Sequence, residues 1–231
     1  GDCLSRTKIL IPEGAYYTRD KLDYAFNDIS GVSNSGNYEP TGQGGTELKL
    51  WNEKWRGDPK DRVLMGFYMD GSTGIYSYAE SVQIHDLHLT GNARDRKDPA
   101  YTITGLRAWS FGSGSNVRNI FISNCDIGLD CIGGTPFTGS GYIGTFTCNQ
   151  AGIAITGGAG ATLSFQTVES DDCPTLFWIR PGSHGAPAGA MLNVQTTKIE
   201  WGIAPGRSYK PETIVVGEGW LHLNFGSIHY A

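Results

Sequence analysis

Short runs in which apolar and polar residues alternate recur along this chain, and clusters of Gly, Asn, Ser and Pro separate them. Glu47-Leu-Lys-Leu-Trp51 and Val82-Gln-Ile-His-Asp-Leu-His-Leu89 are clear examples. Alternation with period two is the mark of a strand that buries one face. The separating clusters include Asn34-Ser-Gly36, Gly112-Ser-Gly-Ser115, Gly133-Gly134 and Gly157-Gly-Ala-Gly160. Such clusters supply turns. No amphipathic helical pattern of useful length interrupts them. The pattern predicts an all-β protein.

The runs also repeat. Gly105-Leu-Arg-Ala-Trp109 matches Gly128-Leu-Asp-Cys-Ile132, Gly152-Ile-Ala-Ile-Thr156 and Leu176-Phe-Trp-Ile-Arg180, at a spacing of about 24 residues. Before each lies a longer run: Ile84 to Gly91, Val117 to Asn124, Tyr142 to Asn149 and Leu163 to Ser170. A helix-free repeat of this length predicts a parallel solenoid, in which each coil stacks on the last at the strand spacing of ~4.8 Å. At that period the chain makes roughly nine coils as one domain over 1–231. Residues 8–80 form entry coils, 81–182 regular coils and 183–231 closing coils. Glycines after the matched strands are expected to turn the corners with φ > 0.

Composition narrows the function. The 231 residues include 33 glycines, about twice the usual share of ~7%. Charged residues are 18% and the formal net charge is −5. No basic run attracts a phosphate backbone, so a nucleic-acid partner is not expected. No apolar stretch approaches the ~18 residues of a bilayer span, and Gly1-Asp2-Cys3-Leu4 does not read as a secretory signal. No membrane insertion is expected. Five cysteines, Cys3, Cys125, Cys131, Cys148 and Cys173, lack C-x-x-C or zinc spacing and read as small buried side chains.

Ile9-Leu-Ile-Pro-Glu-Gly-Ala-Tyr-Tyr17 resembles the I-x-I-P-x-G-x-Y entry of the pectate-lyase-like right-handed β-helix superfamily. Ser81 to Asn92 and Asn116 to Asn124 resemble its V-x-I-x-N-L-x-I-x-N coil. Within that superfamily the chain is most similar to the β-helices of bacteriophage tailspikes and depolymerases, over most of residues 8–230. The resemblance implies a right-handed, single-stranded parallel β-helix, a bacterial surface polysaccharide as ligand, a homotrimer, and a place in a virion tail or outside the cell. No cofactor is expected, although a calcium ion on Asp126, Asp130 and Asp171 would suit the superfamily's lyases.

If the matched pentads stack in register, Leu106, Leu129, Ile153 and Phe177 point inward, as do Ala108, Cys131, Ile155 and Ile179. One outward column then reads Arg107, Asp130, Ala154, Trp178, and the next Trp109, Ile132, Thr156, Arg180. Trp faces suit sugar C–H groups, while Arg and Asp hydrogen-bond hydroxyls and carboxylates. Arg107, Trp109, Asp130, Trp178, Arg180 and His184 are therefore candidates for binding a glycan; the competing reading covers these columns with a loop or subunit. In the longer runs one column reads Thr90, Ser123, Cys148, Glu169, continued by Glu200 and His229. Glu169 and Glu200 would then stand about 5 Å apart on adjacent coils, a separation that suits acid–base work on a glycosidic bond. Asp171 and Asp172 crowd the same end, so Glu169, Asp171, Asp172 and Glu200 are the catalytic candidates. Asn124-Cys-Asp126, Asp171-Asp172 and His184-Gly185 carry the residue types of polygalacturonase hydrolases without their spacing. Two functions follow: a depolymerase, hydrolase or lyase, or a non-catalytic carbohydrate-binding or structural β-helix subunit.

Overall fold

The computed structural model describes residues 8–23, 28–32, 45–66, 82–93, 100–109, 115–132, 137–156, 158–180, 188–200, 212–217 and 219–230. The early strands are β1 (Lys8–Leu10), β2 (Gly14–Thr18), β3 (Leu22–Asp23), β4 (Asp28–Ser30), β5 (Thr46–Leu50) and β6 (Asp61–Gly66). There follow β7 (Gln83–Thr90), β8 (Thr102–Trp109), β9 (Asn116–Ser123), β10 (Ile127–Ile132), β11 (Phe137–Phe146) and β12 (Ala151–Thr156). The last are β13 (Gly158–Asp171), β14 (Thr175–Arg180), β15 (Ala188–Glu200), β16 (Glu212–Val216) and β17 (Gly219–Tyr230).

These strands form two sheets. The larger runs β1-β4-β7-β9-β11-β13-β15-β17, with β2 and β5 alongside; the smaller runs β16-β14-β12-β10-β8-β6-β3. Neighbours are parallel throughout, for example β10 with β8 and β12, and β13 with β11 and β15. Parallel neighbours need a long crossover. From β6 onward a strand of the opposite sheet supplies it, so the chain alternates sheets. This all-β, parallel, two-sheet arrangement is consistent with a parallel β-solenoid.

In the smaller sheet the expected register holds at every matched position. Leu106 pairs with Leu129, Leu129 with Ile153, and Ile153 with Phe177. All eight residues expected to point inward are buried. They meet the larger sheet's Ile84, Leu87, Ile120, Ile122 and Val168 in one core, and the rings of Phe165 and Phe177 sit 6.1 Å apart across it. Gly105 and Gly128 allow this approach. A Cβ on Gly105 would lie 2.2 Å from the Ile122 side chain, and one on Gly128 would lie 2.6 Å from the Gly152 carbonyl. Both positions demand glycine for space, not for backbone freedom.

The larger sheet bends. In β7 and β9 the alternation of buried and exposed residues slips by one at Asp86 and Asn119, which take left-handed φ of 59° and 50°. Asn119 Nδ2 donates to Asp86 Oδ1 at 3.1 Å, so the bend is cross-linked between strands. In the first coils the bend is a complete break: β4 pairs with Gln83–His85 of β7, while β5 pairs with the stretch His88 to Thr90.

Gly133, Gly134, Gly157 and Gly182, expected at the corners that leave the smaller sheet, lie outside the described residues. The corner into that sheet is turned by Asn124, Thr147 and Asp172, with φ of 53°, 55° and 53°. Asn and Asp tolerate this region because a short polar side chain bonds locally. The next residues, Cys125, Cys148 and Cys173, are free thiols buried in a line, and Cys131 is buried too. Burial pushes the Cys125 and Cys131 thiols well up, so these cysteines are packing groups, as their spacing suggested. Cys3 lies outside the described residues.

Candidate functional site

The outer face of the smaller sheet holds the columns first expected to bind sugar. Arg107 (β8), Asp130 (β10), Ala154 (β12) and Trp178 (β14) are in register, as are Ile132, Thr156 and Arg180. The centre of this surface is closed: Asp130 and Ala154 are 0% exposed, with the part-exposed Arg107 and Arg180 around them. The Arg107 guanidinium grips Asp61 of β6 with both terminal nitrogens, and its Nε lies 3.4 Å from Asp130 Oδ2. Arg180 Nη2 donates to the same oxygen at 3.1 Å. Thr156 Oγ1 donates to Asp130 Oδ1 at 2.6 Å and accepts from Arg180 Nε at 2.7 Å. The Arg180 guanidinium carbon lies 5.1 Å from the half-buried Trp178 ring. Burial acts to lower the Arg107 pKa, but Asp61 and Asp130 outweigh it and hold it above its ordinary value. Two carboxylates and two guanidiniums thus neutralise one another internally. The side chain of Trp109 and the whole of His184 lie outside the described residues.

The larger sheet's outer face is built otherwise. One column reads Glu47, His88, Phe121, Gly144, Glu169, Lys198, His229 across β5, β7, β9, β11, β13, β15 and β17. Lys198 Nζ lies 2.9 Å from Glu169 Oε1, and the Tyr142 hydroxyl donates to Glu169 Oε2. A Cβ on Gly144 would sit 2.4 Å from the Phe146 ring and 2.8 Å from that of Tyr142. The missing side chain is therefore what lets both rings lie down beside Glu169. Phe121 stacks on Phe146 with centroids 6.0 Å apart and lies tilted against Tyr142 at 5.0 Å. Aromatic rings, a carboxylate and an ammonium share one patch.

This register corrects the expected pairing of Glu169 with Glu200. Glu169 faces Lys198, and Asp171 is the residue opposite Glu200. The column with Thr90 and Ser123 continues through Phe146, Asp171 and Glu200, not through Cys148 and Glu169. His229 stands opposite Lys198. The reason is that the closing polar residues of the runs are not equivalent: Thr147 and Asp172 stand where Asn124 does, so matching Asn149 and Ser170 to Asn124 displaces the register by two residues. β11 also carries one extra residue between Gly139 and Tyr142 relative to both neighbours. Asp172 is buried at the corner, while the Glu200 side chain lies outside the described residues.

A second polar group on this face was not singled out by sequence. His88 Nε2 lies 2.8 Å from Ser123 Oγ, and Thr90 Oγ1 donates to Glu47 Oε1 at 2.7 Å. Glu47 also lies 3.9 Å from His88 Nδ1 and 3.0 Å from Lys49 Nζ. His88 is opposite Phe121, and Ser123 is opposite Thr90, two residues further along; Glu47 belongs to the broken entry strand, where the repeat is lost. Tyr142 and Lys198 were missed because matching the closing residues of the longer runs sets Glu169 against Cys148 and Glu200 instead.

The three carboxylates considered for calcium do not form one ligand set. Asp126 accepts from the Ile103 backbone N–H at 2.7 Å and from Asn149 Nδ2 at 3.1 Å. Asp130 is held by Arg107, Arg180 and Thr156, and Asp171 stands on the other sheet. Comparison of the chain with protein-family models, with curated proteins and with solved structures finds no match.

Proposed function

We propose that this chain is a right-handed, single-stranded parallel β-helix of the pectate-lyase-like kind, roughly nine coils long, that binds and cleaves a bacterial surface polysaccharide as phage tailspikes do. The observation that carries the reading is the part-exposed pair of rings Phe121 and Tyr142, backed by the buried Phe146, beside the Glu169–Lys198 pair. Rings offer apolar faces to sugar C–H groups, and a charged pair beside them offers hydrogen bonds to hydroxyls and carboxylates. In-register residues on adjacent parallel strands have backbones about 4.8 Å apart, a spacing from which two acidic side chains can reach one glycosidic bond. Asp171 and Glu200 are the pair so placed. In this reading they act as proton donor and nucleophile, while Glu169, fixed by Tyr142 and Lys198, orients the sugar. The closed network on the smaller sheet has a structural role. A homotrimer, and a place in a virion tail or outside the cell, belong to the same proposal.

The test is incubation with a panel of capsular polysaccharides and lipopolysaccharides, reading new reducing ends and unsaturated uronates. Cleavage that Asp171→Asn abolishes supports the proposal, and the product type separates hydrolase from lyase. Binding without cleavage points to the non-catalytic β-helix. Neither binding nor cleavage on any member of the panel sinks the proposal, and a monomer by sedimentation counts against the trimer.

A further inference from the structure

We propose that Ser123, His88 and Glu47 form a second, separate site that hydrolyses esters, with Ser123 as nucleophile, His88 as general base and Glu47 as the acid that orients the imidazole. Three adjacent parallel strands supply the three groups. Glu47 is opposite His88, His88 is opposite Phe121, and Ser123 is two residues further along β9 on the same face. Ser123 Oγ lies 2.8 Å from His88 Nε2, within the reach a nucleophile and its base need. The other ring nitrogen, Nδ1, lies 3.9 Å from Glu47 Oε1. Such contacts are often long without substrate and tighten when it binds.

The surroundings suit that order of roles. Glu47 is buried and held by Thr90 and Lys49, so its carboxylate is fixed and aimed. His88 is 26% exposed and Ser123 is partly exposed, so a small acyl group has access to the hydroxyl. Burial lowers the proton affinity of His88, and Lys49 acts the same way, against the opposing effect of Glu47. The imidazole is then neutral at pH 7 and ready to accept a proton. Lys49 stands in the column of Ser123, with Thr90 between them, and its ammonium lies 3.0 Å from Glu47 Oε2.

The chemistry balances without any co-reactant but water. Ser123 Oγ attacks the ester carbonyl carbon as His88 Nε2 takes the hydroxyl proton. The C–O bond to the alcohol breaks, and the alcohol leaves with that proton. Water then attacks the acyl-serine in the same way and releases a carboxylic acid. The site acts on an acyl ester, not on a glycosidic bond, so it stands or falls independently of polysaccharide cleavage.

The experiment uses the full chain, p-nitrophenyl acetate as substrate and a fluorophosphonate as active-site label. The expected result is turnover of the ester, a fluorophosphonate adduct mapped to Ser123 by peptide mass spectrometry, and a loss of turnover of about 100-fold or more in both Ser123→Ala and His88→Gln. An adduct that maps elsewhere, no adduct, or turnover unchanged in folded Ser123→Ala overturns the proposal. Mapping the adduct on the unaltered protein decides the question even where a variant does not fold.

Discussion

The two outer faces of this molecule are built on the same repeat and end differently. On the smaller sheet Arg107 and Asp130 stand in register, and Asp61 from the start of β6 and Arg180 from the neighbouring column close on them until Asp130 is fully buried. On the larger sheet a bend and a bulge shift the strands, and the result is a row of rings with Glu169, Lys198 and His88 part-exposed beside them. Regular stacking aligns complementary charges so well that they close on themselves. Irregular stacking leaves chemistry facing outward. A functional surface in such a stack is to be sought where the register breaks.

The sharpest way to break this contrast is to remove the hub of the closed face. Asp130→Ala leaves Arg180 without its buried carboxylate and Arg107 with only Asp61. Breaking a buried ion pair from one side costs about 3–5 kcal/mol, so the midpoint of urea unfolding should fall by that equivalent with little effect on glycan binding. If stability hardly moves, the network is not structural. Gly105→Ala should come next, at about 2–3 kcal/mol, because the new Cβ meets Ile122 and a backbone carbonyl and overpacking of this kind is costly. The measurement is again the unfolding midpoint, and an unchanged value would show that the sheets separate easily.

The open face should respond in the opposite sense. Gly144→Ala pushes the Phe146 and Tyr142 rings off the sheet and away from Glu169; glycan affinity should drop about tenfold, equivalent to ~1.4 kcal/mol, while the fold persists. Titration with a bound polysaccharide fragment gives the number, and equal affinity would exclude the ring patch as the binding surface. The smallest effect is a pH dependence. Because the folded protein holds His88 below the ordinary histidine pKa of about 6.5, chiefly by burial, the unfolded chain binds the extra proton more readily. Stability from this group is complete above about pH 6.5 and is lost as pH falls toward the depressed value. His88→Gln should therefore lose less stability than the unaltered protein between pH 7 and pH 5, with Glu47 and Lys49 as the charges facing the ring. Identical pH profiles would contradict the assignment.

How much of this was legible in the sequence depends on the sheet. The pentads of the smaller sheet have constant length, so aligning Gly105, Gly128 and Gly152 is enough to place Leu129 over Leu106 and Asp130 over Arg107. What alignment cannot reveal is that Asp130 is buried, since an outward position on a strand says nothing about what neighbouring side chains fold over it. In the larger sheet the bend carries a signal that period-two counting passes over. Inward residues across it are three apart, as in Ile84 and Leu87, Val117 and Ile120, and Phe165 and Val168. Gly139 and Ile143 are four apart, which marks the bulge in β11, while the direct pairing of β13 with β15 sets Glu169 against Lys198.

Local alternation and a repeat of about 24 residues are properties of the chain itself, and they determined an all-β, parallel, coiled architecture together with the residues that face the core. Which polar side chains meet depends instead on register between strands 23 to 43 residues apart, where one inserted residue shifts every later contact on that strand. Only the tertiary structure decided that Asp130 is a buried hub, that Glu169 belongs with Tyr142 and Lys198, and that Glu47 reaches His88 and Ser123. Backbone hydrogen bonding and side-chain packing between strands set that register together, and neither acts within a single strand.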